Sequence, residues 1–197
     1  MTVETLVRDD PLDAAVAAAE PAPERDLSPA PDPLADGAVR AKELLIIDYS
    51  GDLEKVWATM ILASTSAAMG VRTRVFVTFW GLQVFVKDSR RITGRNWMQK
   101  MLAAMQRPGI SHRKLSKMNF LGMGPWMMGR LARQYGVASP KELLEAAQAM
   151  GVEFIPCQMT MDMFGLRRED MIDGLGEPVG AATVIELLSN GAAPLFI

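Results

Sequence analysis

Histidine and cysteine each occur once in this 197-residue chain, as His112 and Cys157. One cysteine excludes an internal disulfide and any multi-cysteine zinc site, and its lack of a partner fits a reducing cytoplasm. With no acid cluster beside either residue there is no metal constellation. A cysteine hydrolase would need His112 as base, yet His112 sits in a basic stretch with no acidic orienter next to it, and it reads as a surface residue. Runs long enough to span a membrane, roughly 18 to 20 apolar residues, are also missing: Val56 to Met69 is interrupted by Thr59, Ser64, Thr65 and Ser66 and stops at Gly70. The N-terminus shows no basic region followed by an apolar core, so a secretory signal is not expected.

What is present divides sharply by charge. The chain is 49% hydrophobic with a net charge of -2, enough for one domain with a full core and neutral on the question of a charged partner. Residues 1–41 carry nine acids against Arg8, Arg25 and Arg40, a net of 3 - 9 = -6, which leaves +4 for the remainder. Six of the twelve prolines also fall there, and the mixture has too little apolar surface to offset ordering entropy. We expect an acidic, disordered leader over 1–41, with a short helix allowed at Asp13 to Glu20, and one domain over 42–197. Between Arg72 and Arg133 there are thirteen Lys or Arg and one acid, Asp88. The fifteen methionines point to adaptable packing in a core or at a subunit interface.

Order within the domain is that of an α/β protein. Leu44 to Tyr49 is a strand-length apolar run, Ser50-Gly51-Asp52 a turn, and Leu53 to Met69 has helical spacing. Arg72 to Phe79 reads as a second strand, parallel to the first after a helical crossover, and Trp80-Gly81 breaks it. Asn96 to Gln106 places Trp97, Met98, Met101, Leu102 and Met105 on one helical face. Leu115 to Gly129, rich in Gly and Met, reads as tight backbone contacts or a flap rather than a long helix, within a basic insert spanning about 82–129. Ser139-Pro140-Lys141-Glu142 is a capping box with Pro at the first helical position. Val152 to Ile155 follows as a buried strand, Gln158 to Phe164 as a short helix ended by Gly165, Arg167 to Ile172 as a further turn, and Ala181 to Ser189 as the last helix. A terminal strand, Pro194 to Ile197, is expected inside the sheet.

Cys157 sits where the chemistry would be. Pro156 cannot continue a ladder, so the sulfur lies just past a strand end, and the unpaired N–H groups of the helix that follows would favour the thiolate. A lone cysteine beside Phe and Ile is equally the signature of a small buried hydrophobe. No arginine returns within Gln158 to Gly165, as a rhodanese-like loop would require. The Pro-x-x-x-Thr-x-x-Cys run of a peroxidatic cysteine is absent too, since Pro156 precedes the sulfur directly and Thr160 follows it. Ser50-Gly51-Asp52 could hold an anion at a helix start, but Ser50 or Asp52 acting as a cap accounts for it. The scattered arginines match no nucleic-acid motif.

LLIIDYSGDLEKVWATMILASTSAAMG, VFVTFWGLQ, LSKMNFLGMG, EFIPCQMTMDMFGL and the terminal LFI, in that order, resemble the DsrE/DsrF-like proteins, in particular the DsrE2 branch sometimes labelled peroxiredoxin-like. The resemblance covers about residues 42–197. It implies a three-layer α/β/α fold with a mostly parallel sheet of about five strands, homo-oligomers, and a cysteine that carries sulfane sulfur as a persulfide between partner proteins, with no cofactor. Cys157 matches the sulfur-accepting cysteine, and Met159, Met161 and Asp162 its flanking pattern. Ser50, Gly51, Asp52, the edge from Thr78 through Trp80 to Gly81, and Asn119 match recurring positions. With Gln158, Met159, Thr160 and Asp162 they are the candidates for contact with substrate or partner. Thr160 stands where the family usually has Ser, keeping the hydroxyl.

The resulting expectation is a cytoplasmic sulfur carrier or sulfurtransferase, with sulfur-donor and sulfur-acceptor proteins as partners and neither nucleic acid nor a membrane span involved. The thiol would be activated by helix N–H groups, with Arg or Lys from the basic insert of the same or a neighbouring subunit as a further source, and Asp162 would accept backbone N–H groups. Two rivals remain: a non-catalytic oligomeric binding module in which Cys157 is merely packed, and a thiol peroxidase.

Overall fold

The structure is a computed structural model, and it describes residues 43–89, 94–105, 108–117, 119 and 122–197. The leader 1–41 and the helix expected at Asp13 to Glu20 lie outside the described residues, as does the side chain of His112. β1 (Glu43–Asp48) buries Leu45 and Ile46 completely on opposite faces, the reason its sequence is a continuous apolar run rather than an alternation. α1 (Leu53–Ala68) carries the chain to β2 (Arg72–Val77), which pairs parallel with β1 from Glu43 opposite Arg72 to Asp48 opposite Val77.

After β2 come a single helical turn, α2 (Phe79–Leu82), then α3 (Trp97–Met105) and α4 (Met123–Gln134). α5 (Pro140–Ala149) leads into β3 (Glu153–Pro156), beside β2. α6 (Gln158–Phe164) and α7 (Ala181–Ser189) precede β4 (Ala193–Phe196), which pairs with the other side of β1. The sheet is parallel throughout, in the order β3-β2-β1-β4.

Both faces are covered, which makes three layers. Ile46, Val75, Val77 and Phe154 pack with Val56, Met60 and Ala63 of α1 and with Leu144 and Ala147 of α5. Leu45, Phe76 and Ile155 pack on the other face with Val184 of α7, Ala192 and Cys157. Each large side chain so buried contributes about 1.5–3 kcal/mol, so the two clusters hold the sheet in place. Four strands form the ladder among the described residues. The segment from Leu175 to Val179 lies parallel to the outer edge of β3 through isolated bridges of Leu175 with Phe154 and of Val179 with Cys157. It takes the position a fifth strand would fill and covers an edge that would otherwise be open.

Several local expectations are corrected. β4 is at the edge of the sheet, not inside it, because the last crossover sends the chain past β1 instead of between strands. The second strand stops at Val77; Phe79, at φ 43°, starts α2. The Gly- and Met-rich stretch contains the start of a twelve-residue helix, α4. Pro125 is its third residue, within the first turn, where N–H groups have no intrahelical acceptor to lose. α3 forms where its spacing predicts, but Trp97, Met98, Met101 and Met105 are exposed and only Leu102 packs toward the core. The capping box at α5 is present, with Ser139 N donating to Glu142 Oε2 at 2.7 Å and Glu142 N to Ser139 Oγ at 3.3 Å.

Candidate functional site around Cys157

β3 ends at the cysteine. Its N–H donates to Val77 O at 2.9 Å as the last rung shared with β2, and Cys157 then occupies the N-cap position of α6. The sulfur replaces the oxygen that Ser, Thr or Asp would supply at such a position. Gly165 closes α6 in the left-handed region at φ 66°. These features fix where the sulfur is, at the C-terminal edge of the sheet. Cys157 is only 4% exposed.

Two hydroxyls meet there from distant parts of the chain. Thr160, wholly buried on the first turn of α6, lies with its Oγ1 3.0 Å from Thr78 Oγ1, and Phe79 N donates to Thr160 Oγ1 at 3.2 Å. Among the described residues Phe79 is the non-glycine residue of positive φ, a conformation that costs of order 1–3 kcal/mol and persists only where surroundings enforce it. Burial pushes the Cys157 thiol up, but the Thr160 and Thr78 hydroxyls, with the N–H groups of Thr160 and Met159, outweigh it and hold the thiol below its ordinary value. Each hydroxyl has one proton. If the pair shares a hydrogen bond, one proton is left for the sulfur; if both turn to a thiolate, the pair bond opens.

The thiol is therefore stabilised as thiolate by the helix N–H groups expected and, beside them, by two hydroxyls. Gln158 Nε2 donates to Asp162 Oδ1 at 2.9 Å on the exposed face of α6. The Asp162 carboxylate thus accepts a side-chain amide, not the backbone N–H groups expected. Met159, 56% exposed, and Met163 flank this pair, and Trp80 stacks on Phe164 with centroids 5.3 Å apart. α3 docks behind them through Gln99 Nε2, which donates to the carbonyls of Asp162 and Met163 at 3.1 and 3.2 Å.

Ser50, Gly51 and Asp52 join the site only at one remove. Asp52 takes the N-cap position of α1, yet its side chain makes no capping bond; it accepts from Ser50 Oγ at 3.1 Å and pairs with Lys55 at 3.3 Å. A Cβ at Gly51 would come within 2.7 Å of Trp80 O, and one at Gly81 within 2.7 Å of Asp48 O. Thr78 N donates to Asp48 O at 2.9 Å and Gly81 N to Tyr49 O at 3.1 Å. Glycine is needed at both places because two turns interlock with backbone against backbone. Asn119 stands apart: its carbonyl accepts Gly122 N at 2.7 Å, and its Oδ1 is buried with no partner.

Sequence reading did not anticipate Val179, whose N–H donates to Pro156 O and whose carbonyl accepts Gln158 N, both at 3.0 Å. Nor did it single out Asp48, the acid that ends an apolar strand, although that placement is itself a visible signal. Among the described residues no group of three or more His, Cys, Asp or Glu could hold a metal ion, and no helix is long and apolar enough to cross a membrane.

A profile of the DsrE/DsrF/DrsH-like family matches residues 40–196. The sulfur carrier protein DsrE2 of Allochromatium vinosum is 36% identical over 159 residues, covering 79% of this chain and 98% of that protein. The uncharacterized protein YrkE of Bacillus subtilis is 34% identical over 158 residues, covering 80% and 98%. Among solved structures, protein MTH1491 of Methanobacterium thermoautotrophicum aligns at 13% identity with a TM-score of 0.48 over 79% of this chain and 98% of that one.

Proposed function

The chain belongs to the DsrE/DsrF/DrsH-like family, in its DsrE2 branch, and from that premise we propose that it is a sulfur-relay protein that carries sulfane sulfur on Cys157. The thiolate attacks the outer sulfur of a donor persulfide R–S–SH. The S–S bond of the donor breaks, R–S⁻ leaves with the bonding pair, and Cys157–S–SH forms with the proton retained on the terminal sulfur. An acceptor thiolate then attacks that terminal sulfur and Cys157 departs as thiolate. No oxidant or reductant is consumed, and one cysteine suffices.

The observation that carries this reading is a cysteine at the N-cap of α6 beside the paired hydroxyls of Thr78 and Thr160, a setting that holds the thiol below its ordinary value despite its burial. A purely packed cysteine in apolar surroundings would be pushed the other way. The same donors serve as well when Cys157 is the leaving group. The DsrE2 relative supports the cargo by its name as a sulfur carrier. Donor and acceptor proteins would approach over the exposed Met159, Met163, Phe79 and Trp80. The exposed apolar face of α3 favours a homo-oligomer as the working form.

Intact mass after incubation with polysulfide is the test. One added sulfur atom on the native chain, removed by dithiothreitol and absent from Cys157→Ser, is expected; an adduct that survives the substitution would sink the proposal. The second reading, a packed cysteine in a binding module, draws on the 4% exposure of Cys157. It predicts resistance to iodoacetamide in the native state at neutral pH, whereas the carrier predicts alkylation faster than that of free cysteine.

A further inference from the structure

Asp48 is the most anomalous polar group in the described chain. It is 0% exposed, although carboxylates are almost never fully buried without a partner. Its Oδ1 accepts Ser50 N at 3.2 Å, while Oδ2 has no hydrogen-bond partner. The Thr59 hydroxyl of α1, also wholly buried, faces the carboxyl and favours its charged form, although neither its Oγ1 nor Oδ2 has a partner at full hydrogen-bond geometry. The neutral acid can donate from Oδ2 to Thr59 Oγ1, whereas the anion, stripped of water, has only the Ser50 N–H and the Thr59 hydroxyl to meet it, so burial favours the neutral form.

The groups around it offer little compensation. From the turn that follows come Tyr49, Ser50 and Asp52; from α1 come Lys55 and Thr59; Arg113 reaches the turn at Gly51. β2 and α2 present Thr78, Trp80 and Gly81, none of which titrates. Among the described residues Lys55 is the cation that acts on Asp48 appreciably, and it is already committed to Asp52. Burial, the largest influence, raises Asp48 from its ordinary 3.8 to about 7, against the opposing Ser50 N–H, Lys55 and Thr59.

What Asp48 holds makes this consequential. Its carbonyl anchors Thr78 N at 2.9 Å, and Gly81 is pressed against it, so that a Cβ there would sit 2.7 Å from its O and 3.1 Å from its Oδ1. Thr78 and Phe79 are the next residues along that turn, and they bear the hydroxyl and the N–H that organise Thr160 beside the sulfur. Charging the carboxyl draws water or cations toward a site with no room for them, and the turn is the part that can yield.

We propose that Asp48 is a positioning residue linked to Cys157: as the neutral acid it holds the Thr78–Gly81 turn in place, and its ionisation and that of the thiol oppose one another through that turn. The linkage rests on the sulfur-carrier reading for its biological use but not for its measurement, because it concerns ionisation alone. It makes readiness of the thiolate depend on a second proton in the neutral range, and by reciprocity Cys157 ionisation must disfavour that of Asp48 to the same extent.

The full chain is titrated by the ultraviolet absorbance of the thiolate. The native chain is expected to titrate over a range wider than one group spans, and Asp48→Asn, with no second acid, in a single step. Superimposable curve shapes would overturn the linkage. Should Asp48→Asn fail to fold, two further measurements decide. Infrared spectra of the native chain with carbon-13-labelled aspartate should show a protonated carboxylic acid C=O band below neutral pH that fades above it, and in Cys157→Ser that band should fade in one narrower step. Absence of the band, or no change of its course in Cys157→Ser, would equally overturn the proposal. Neither outcome bears on whether Cys157 takes up sulfur from polysulfide, so failure here and failure of the sulfur-carrier reading are distinguishable.

Discussion

A thiol at a strand end, 4% exposed, has to obtain its anionic character from very few atoms. Thr160 is the decisive one, since it touches the thiol through both its hydroxyl and its N–H while its Oγ1 also accepts Phe79 N. Thr160→Val keeps the shape but removes the donor. A hydrogen bond to a charged group is worth about 1.5–3 kcal/mol, so alkylation of Cys157 at neutral pH should slow on the order of tenfold. The same change leaves Phe79 N without an acceptor and should cost about 1–3 kcal/mol in urea unfolding. Thr160→Ser, which keeps the hydroxyl, should retain both properties. Equal alkylation rates in Thr160→Val and the native chain would mean that the hydroxyl does not reach the sulfur.

This pairing was only half legible in the sequence. Cys157 and Thr160 are three residues apart and share the first turn of α6, a relation that Pro156 before and Gly165 after make readable. Thr78 is 82 residues from Thr160, and the pairing of β2 with β3 is what brings the two hydroxyls together. Its position in TFWG marked it as a candidate, but its role depends on strand order, which side-chain pattern does not encode. The source of thiolate stabilisation was legible in part: helix N–H groups follow from Pro156 and the spacing of α6, whereas two hydroxyls brought to one point by strand order are not visible in sequence.

Between elements, the contact that deserves a test is α3 on α6. Gly165 closes α6 at φ 66°, and a Cβ there would meet Gly94 Cα at 2.5 Å and Gln99 Oε1 at 2.7 Å. Gln99 Oε1 is the acceptor for the N–H groups of Arg95 and Asn96 at 2.9 and 3.2 Å, and its Nε2 ties α3 to the end of α6. Gly165→Ala therefore adds strain in the left-handed region and displaces the Gln99 side chain that ties α3 to α6. A loss of about 1 kcal/mol or more is expected, with faster hydrogen exchange at Arg95 and Asn96. Unaltered exchange at those two amides would mean that the α3 contact is not organised by Gln99. Elements whose ends carry such punctuation, α5 with its capping box and α6 with its glycine, were readable at nearly residue precision. α4 was not, because three glycines and a proline weigh against helix on average, while Gly122 lies just before it and Pro125 within its tolerant first turn.

For the whole molecule, the buried Asp48 sets a direction for stability against pH. In the unfolded chain its carboxyl titrates near 3.8, and in the folded chain near 7. Below about pH 3.8 both states hold the proton and the residue contributes no slope. Between the two values the folded chain binds a proton that the unfolded chain lacks, so stability falls as pH rises; above about 7 both are ionised and the loss is complete. At 1.36 kcal/mol for each pH unit, the displacement from 3.8 to about 7 sets a ceiling of about 4 kcal/mol, which relaxation of the turn will lower. Glu142, which the Ser139 N–H and hydroxyl hold below its ordinary value, has the opposite tendency and masks part of any such slope in the native chain. The comparison that isolates Asp48 is therefore urea unfolding of native and Asp48→Asn proteins at pH 5 and pH 8. The variant should gain on the native chain by up to a few kcal/mol between the two conditions, since only the native chain has a proton to lose there. A constant difference across that interval would mean that Asp48 is already ionised in the fold at pH 5, and with it would go the linkage to Cys157.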